Sequence, residues 1–226
     1  MKLRLSVALI ACAVIFSVAA APAQTTLNYT PAAEVFGGFS LHRTQFGTDM
    51  QNAPGFDFSF GYNAFKPLRL AADFGGQYHG TDVFIVGSKV STSNYQLLFG
   101  PEFVARNHSR YTPFVHGMFG WMTRRYNVPN GLQTCNGFTC TEQKTTVISD
   151  SGLALALGGG LDVALTPMFS LRAIQFDYIR SHMSRNDPNF EVDTSELPPL
   201  DSWQKNYRFG VGIVMRLGEK SSGKKY

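Results

Sequence analysis

From residue 33 onward the hydrophobic pattern repeats every two residues rather than every 3.6. Residues 56–64 show it most cleanly. Phe56, Phe58, Phe60 and Tyr62 share one parity, and Asp57, Ser59, Gly61 and Asn63 take the other. Between 68 and 79, Leu68, Leu70, Ala72, Phe74, Gly76 and Tyr78 alternate with Arg69, Ala71, Asp73, Gly75, Gln77 and His79. Eight segments follow this rule: 33–45, 55–65, 67–80, 92–106, 111–123, 151–164, 167–180 and 204–217. Each is long enough for a tilted strand to cross a hydrocarbon layer, which takes roughly 9–11 residues. The pattern predicts an all-β fold: an eight-stranded antiparallel up-and-down transmembrane β-barrel. Its large apolar face points at lipid, and its small and polar face fills the lumen.

The connections sharpen this. They alternate long and short, with long segments at 46–54, 81–91, 124–150 and 181–203. The short ones are Lys66, Asn107 to Arg110, and Leu165-Thr166. Membrane barrels have short periplasmic turns and longer external loops, and an even strand count with both ends periplasmic gives this order. Pro67, Pro113 and Pro167 lie at or near strand starts, where a missing ladder donor is tolerated. Under this topology Tyr78, Tyr95, Trp121, Tyr178 and Tyr207 fall near external strand ends, and Tyr62, Phe65, Phe103, Tyr111 and Phe169 near periplasmic ends. Two such bands are what the two membrane interfaces call for.

Two strands fit less cleanly. The run Gly158-Gly159-Gly160 suits a coiled or bulged strand. In 167–180, Arg172 shares parity with Ile174, Phe176 and Tyr178, whereas Gln175 and Asp177 take the other. Either a bulge near 172–174 turns Arg172 inward, or Arg172 snorkels to the periplasmic interface.

Composition adds the compartment. Lys2 and Arg4 precede an apolar run from Leu5 to Ala21, and Ala21-Pro22-Ala23 supplies small residues before Gln24. This is the layout of a secretory signal peptide over residues 1–23, cleaved after Ala23. Leu9-Ile10-Ala11-Cys12 resembles a lipoprotein box, but the apolar run continues well past Cys12. Without residues 1–23 the chain carries 18 basic against 16 acidic residues, net +2, which is no electrostatic footprint for nucleic acid. Charged residues make up only 16% of the chain, below the usual quarter, while aromatics reach 13%. No stretch after residue 23 is long and apolar enough for a spanning helix, and a closed barrel is the other structure that satisfies its backbone within lipid. The domain plan is therefore a signal peptide (1–23), a short N-terminal segment (24–32), the barrel (33–217) and a basic periplasmic tail (218–226). Export to the bacterial outer membrane is the expected localisation.

The strand-by-strand layout resembles the OmpA-like outer-membrane β-barrel domain family. The stretches most like it are Gly158-Gly159-Gly160-Leu161-Asp162, Leu165-Thr166-Pro167 leading to Leu171-Arg172, and Asp177-Tyr178. The last strand resembles the C-terminal assembly signal of such barrels: polar Arg208, then Gly210, then apolar Ile213 and Met215. The resemblance implies recognition by the barrel assembly machinery during biogenesis. The chain departs from the pattern by running on through Gly218 to Tyr226, a stretch that is not expected to encode the peptidoglycan-binding domain of full-length members.

The inward parity carries Arg69, Asp73, Gln77, His79, Glu102, Arg106, His116, Asp162, Asp177, Arg208 and Arg216. An eight-stranded lumen is just wide enough for side chains to fill, and charges there must pair. These residues read as a polar plug, the alternative being a narrow channel for small solutes or ions. A third reading is a lipid-modifying enzyme. His182-Met183-Ser184-Arg185-Asn186 resembles the His-x-Ser-Asn cluster of lipid A deacylases in composition only, since Arg185 interrupts it and the 181–203 segment reads as a loop. No catalytic residue, metal site or cofactor is expected. Cys135 and Cys140, an even pair in an exported chain with Asn136-Gly137 between them, read as a disulfide in the third external loop. The expected role is structural or in surface interaction. Its partners are outer-membrane lipid and an extracellular ligand of the long loops whose identity the sequence leaves open.

Overall fold

The computed structural model describes residues 30–46, 49–85, 88–106, 109–130, 135–136, 139–140, 144–186 and 203–219. The proposed signal peptide, the basic tail beyond Glu219 and most of the fourth long loop lie outside the described residues. In chain order the strands are β1 (Pro31–Phe46), β2 (Asp49–Asn63), β3 (Leu68–Ile85), β4 (Ser88–Val104), β5 (Tyr111–Asn130), the two-residue β6 (Cys135–Asn136) and β7 (Thr139–Cys140), β8 (Lys144–Ala164), β9 (Phe169–Asn186) and β10 (Gln204–Glu219). Eight of them close a barrel in the order β1-β10-β9-β8-β5-β4-β3-β2, and β6 and β7 form a separate small hairpin. Every pairing is antiparallel. Closure comes from β1 pairing with β10, from Pro31 opposite Glu219 to Thr44 opposite Asn206, so the barrel has no open sheet edge.

The short connections stand where the pattern puts them, at 64–67, between β4 and β5, and at 165–168. This end of the barrel, the near rim, also carries the strand ends Pro31 and Glu219. The opposite end, the far rim, differs from expectation in extent. The segments read as loops at 46–54, 81–91 and 124–150 are largely ladder. β2 begins at Asp49, β3 and β4 pair out to Ile85 opposite Ser88, and β5 pairs with β8 out to Asn130 opposite Lys144. The segment 181–186, also read as loop, is the end of β9.

The reason for the longer strands is the antiparallel ladder itself, which goes on satisfying backbone donors and acceptors after the chain has left the hydrocarbon. A tilted strand needs roughly 9–11 residues to cross. β5 has 20 and β8 has 21, so about half of each stands beyond the layer at the far rim.

Burial is inverted relative to a soluble sheet. Phe39, Phe58, Phe60, Phe74, Leu97, Phe99, Phe119, Leu155 and Ile213 are exposed on the outer wall, whereas Glu34, Asp57, Arg69, Asp73, Glu102, Asp162, Asp177 and Arg208 are buried in the lumen. Phe119 is 61% exposed and Arg208 0%. Such an apolar wall is unfavourable in water and matched to hydrocarbon. Tyr62, Phe65, Phe103, Tyr111 and Phe169 are all exposed towards the near rim, and Tyr78 and Trp121 towards the far rim.

A bulge settles the strand that fits the alternation poorly. β8 pairs Leu161 with Ile174 but Asp162 with Arg172, so one extra residue of β9 is accommodated there. The register of β9 with β10 shifts at the same place. The bulge reverses parity, so Arg172 is buried while Ala173 and Ile174 both face outward.

Candidate functional site

The lumen holds the densest collection of chemically capable side chains, and its construction starts from small residues. A Cβ added at Gly61 would meet the Arg69 side chain at 2.5 Å, and one at Gly158 would collide with the Asp177 carboxylate. Inward-facing glycines therefore leave the volume that long charged side chains on neighbouring strands occupy.

Arg208 of β10 stands at the centre. Its Nε donates to Asp177 Oδ2 at 2.6 Å, and its Nη1 donates to Asp57 Oδ1 at 3.0 Å and to Asp73 Oδ1 at 2.5 Å. Asp177 also meets His116 Nε2 at 2.6 Å and accepts from Gln175 Nε2 at 2.8 Å. Towards the near rim, Arg69 donates to both Glu34 and Glu102. Arg106 Nη2 donates to Glu34 Oε1 and to Asn63 Oδ1, each at 2.7 Å, while its Nη1 donates to the Lys66 carbonyl at 2.7 Å. His116 Nδ1 lies 3.8 Å from Glu102 Oε2, which joins the two groups.

A third part is built round Arg172. Its Nε and Nη2 donate to the two carboxylate oxygens of Asp162 at 2.8 and 3.2 Å, and its Nη1 donates to Gln175 Oε1 at 2.9 Å. The guanidinium carbon lies 4.4 Å from the Phe36 ring centroid and 4.3 Å from that of Phe114. A planar, weakly hydrated cation is suited to such a place between aromatic rings.

Each of the eight barrel strands contributes at least one of these side chains. Arg208 and Arg69 each bind a carboxylate that is their direct ladder partner, Asp177 and Glu102 respectively. Each also reaches across the lumen to a strand that is not adjacent: Arg208 to Asp57 and Asp73, and Arg69 to Glu34. The ion pair of Arg172 stays local, because Asp162 lies opposite it on β8. The first two arginines therefore cross-brace the barrel, and the third fastens the bulge.

On the far-rim side the lumen wall changes character. Ala71, Leu98, Met118, Met122, Ala154, Ala156, Ile179 and Met183 form a buried apolar cluster. Beyond it polar groups return, with Arg124 Nε donating to Asn94 Oδ1 at 2.9 Å and Asn206 Nδ2 donating to Ser181 Oγ at 3.1 Å.

The residues singled out from sequence are placed as follows. Arg69, Asp73, Glu102, Arg106, His116, Asp162, Asp177 and Arg208 share the connected network just described. Gln77 is buried in the lumen but takes no side-chain hydrogen bond among the described residues. Arg216 is buried near the near rim, and His79 is half-buried towards the far rim. Gly210 and Arg208 face the lumen, while Ile213 is exposed on the outer wall, so the stretch read as an assembly signal divides between the two faces. Cys135 and Cys140 are direct backbone partners across the β6–β7 hairpin. The sequence reading omits Glu34, Asp57, Asn63 and Gln175 as members of the network, and it leaves Arg172 between two positions. A signal for Glu34 exists in the chain: it shares parity with Ser40, His42 and Thr44, a polar set that is buried throughout.

The deacylase-like stretch lies on β9, with His182 and Ser184 exposed on one face and Met183 buried on the other. The His182 ring lies 5.4 Å from that of Trp203, and Ser184 Oγ donates to the Ser151 carbonyl at 3.4 Å. A nucleophile needs a base in hydrogen-bond reach, and neither contact supplies one.

The sequence matches no family model and no curated protein. Among solved structures it is similar to Neisserial surface protein A, with a TM-score of 0.55 at 11% identity over 82% of this chain and 97% of that one. It is also similar to Ail, the attachment invasion locus protein of Yersinia pestis, at 15% identity over 81% of this chain and 97% of that one, with a TM-score of 0.49. The outer membrane protein OprG from Pseudomonas aeruginosa follows at 11% identity, 84% and 97% coverage and a TM-score of 0.47. These neighbours are eight-stranded outer-membrane β-barrels of the OmpA-like kind. The likeness to Neisserial surface protein A is one of fold.

Proposed function

We propose that this chain is a bacterial outer-membrane barrel with a plugged lumen, which acts as a structural element and presents its far rim to the exterior. The near rim, with its short turns and both strand ends, then faces the periplasm. The observation that carries the reading is the network in which side chains from all eight strands meet at Arg69, His116, Arg172 and Arg208. Buried ion pairs spanning so narrow a lumen support a barrel without a continuous water path at that level.

Planar-bilayer recording tests the plug. The expected result is no reproducible single-channel step for the wild-type protein. Defined steps altered by Glu102→Gln or Arg69→Gln would favour the narrow channel instead. The fold in membrane is tested separately, by a mobility shift between boiled and unboiled gel samples.

The far rim also carries the Cys135–Cys140 hairpin. The two residues lie directly opposite each other, and an oxidising compartment favours closure to a disulfide. Mass spectrometry after alkylation, with and without reductant, is expected to show two protected thiols in the exported protein. Recognition of the last strand through Arg208, Gly210, Ile213 and Met215 by the assembly machinery belongs to the same reading.

A further inference from the structure

On the outer wall, β9, β10 and β1 carry a gradient from charge to hydrocarbon. On β10 the outward residues run Lys205, Tyr207, Phe209, Val211 and Ile213 from the far rim downward. On β9 they run Arg180, Tyr178 and Phe176, and on β1 Arg43, Leu41 and Phe39. The rings are in contact: Tyr178 with Tyr207 at 5.5 Å between centroids, and Phe176 with Phe209 at 5.1 Å.

At the top of this gradient the wall opens. The β1–β10 ladder ends at Thr44 opposite Asn206. Beyond it the Lys205 amide donates instead to the side chain of Gln45, at 3.1 Å. The result is a cleft of about 420 Å³ lined by Arg43, Gln45, Met50, Lys205, Tyr207 and Phe209. Lys205 is the direct cross-strand partner of Arg180, and Arg43 that of Tyr207. Like charges directly opposite one another on a sheet are unfavourable unless something neutralises them. Among the described residues Arg43, Lys205 and Arg180 form no ion pair, in contrast to the arginines of the lumen.

We propose that this cleft binds a phosphate group of an anionic glycolipid in the outer leaflet. Arg43 and Lys205 hold the phosphate, the tyrosines lie at the level of the sugar, and Phe209 and Phe176 pack against the acyl chains. The chemistry matches an amphiphile along its whole length: cations at the headgroup, amphipathic rings at the interface and apolar rings below. The assignment rests on the orientation proposed above, with the far rim external.

The test uses the full mature chain refolded in phosphatidylcholine nanodiscs doped with diphosphorylated lipid A, with retained lipid counted by native mass spectrometry. Wild-type protein is expected to retain lipid A, and the Arg43→Gln, Lys205→Gln double variant to lose at least tenfold in retention. Arg125→Gln, a change on the β5 flank, serves as the control and should leave retention unaltered. Equal retention by wild type and the double variant would overturn the site. So would equal retention of dephosphorylated lipid A, or displacement by millimolar inorganic phosphate, which would reassign the cleft to a free anion. A wild type that shows the boiled-against-unboiled shift yet retains no lipid A refutes the site alone, whereas loss of the shift refutes the barrel reading beneath it.

Discussion

Inside the barrel, Arg208 is fully buried and is met by Asp57, Asp73 and Asp177. On the outer wall, Arg43 and Lys205 are exposed beside aromatic rings, without a carboxylate partner among the described residues. Charges buried in a narrow lumen are neutralised by one another, because a buried unpaired ion is costly. The wall at the far rim can leave neutralisation to solvent or lipid. The same residue type therefore serves stability on one face of the sheet and is available for recognition on the other.

Breaking the inner set should have the largest effect. Arg208→Met leaves three carboxylates facing one another, and the expected destabilisation is about 3–5 kcal/mol, read from urea unfolding in lipid vesicles. A variant as stable as wild type would mean that the three contacts do not operate together. Adding Asp177→Asn to Arg208→Met sharpens the point, since the pair should be non-additive by about 1–3 kcal/mol in a double-mutant cycle.

Arg172→Lys keeps the charge but removes the planar group between Phe36 and Phe114 and its two-point contact with Asp162. A loss of about 1–2 kcal/mol is expected, again by equilibrium unfolding. Met118→Leu lies in the apolar part of the lumen and nearly conserves volume, so its cost should stay below about 1.5 kcal/mol. The smallest effect belongs to the outer set: Arg43→Gln with Lys205→Gln should alter unfolding by no more than about 0.5 kcal/mol per site. A large loss there would place these side chains in the fold rather than at its surface.

Much of the architecture is legible in the chain. The alternation from Phe56 to Tyr62 assigns each residue to a face, because successive side chains of a strand point to opposite sides. The same parity places Arg69, Asp73, Glu102 and Asp177 inside. It fails at Arg172, where a bulge reverses the parity, and a bulge is decided by the match of two neighbouring strands. It also ends the strands too early at the far rim. There the alternation of apolar and polar residues weakens, but backbone pairing continues.

The period, the strand count, the order of short and long connections and the polarity of each face are all written in the chain. They follow from local stereochemistry and from the demand that a membrane-spanning backbone satisfy its own hydrogen bonds. Which charges meet is settled only by the closed barrel. Arg208 is 151 residues from Asp57 and 31 from Asp177, yet it binds both. Such partnerships depend on closure of β1 against β10 and on the register it sets, which bring across the lumen side chains that no spacing along the chain relates.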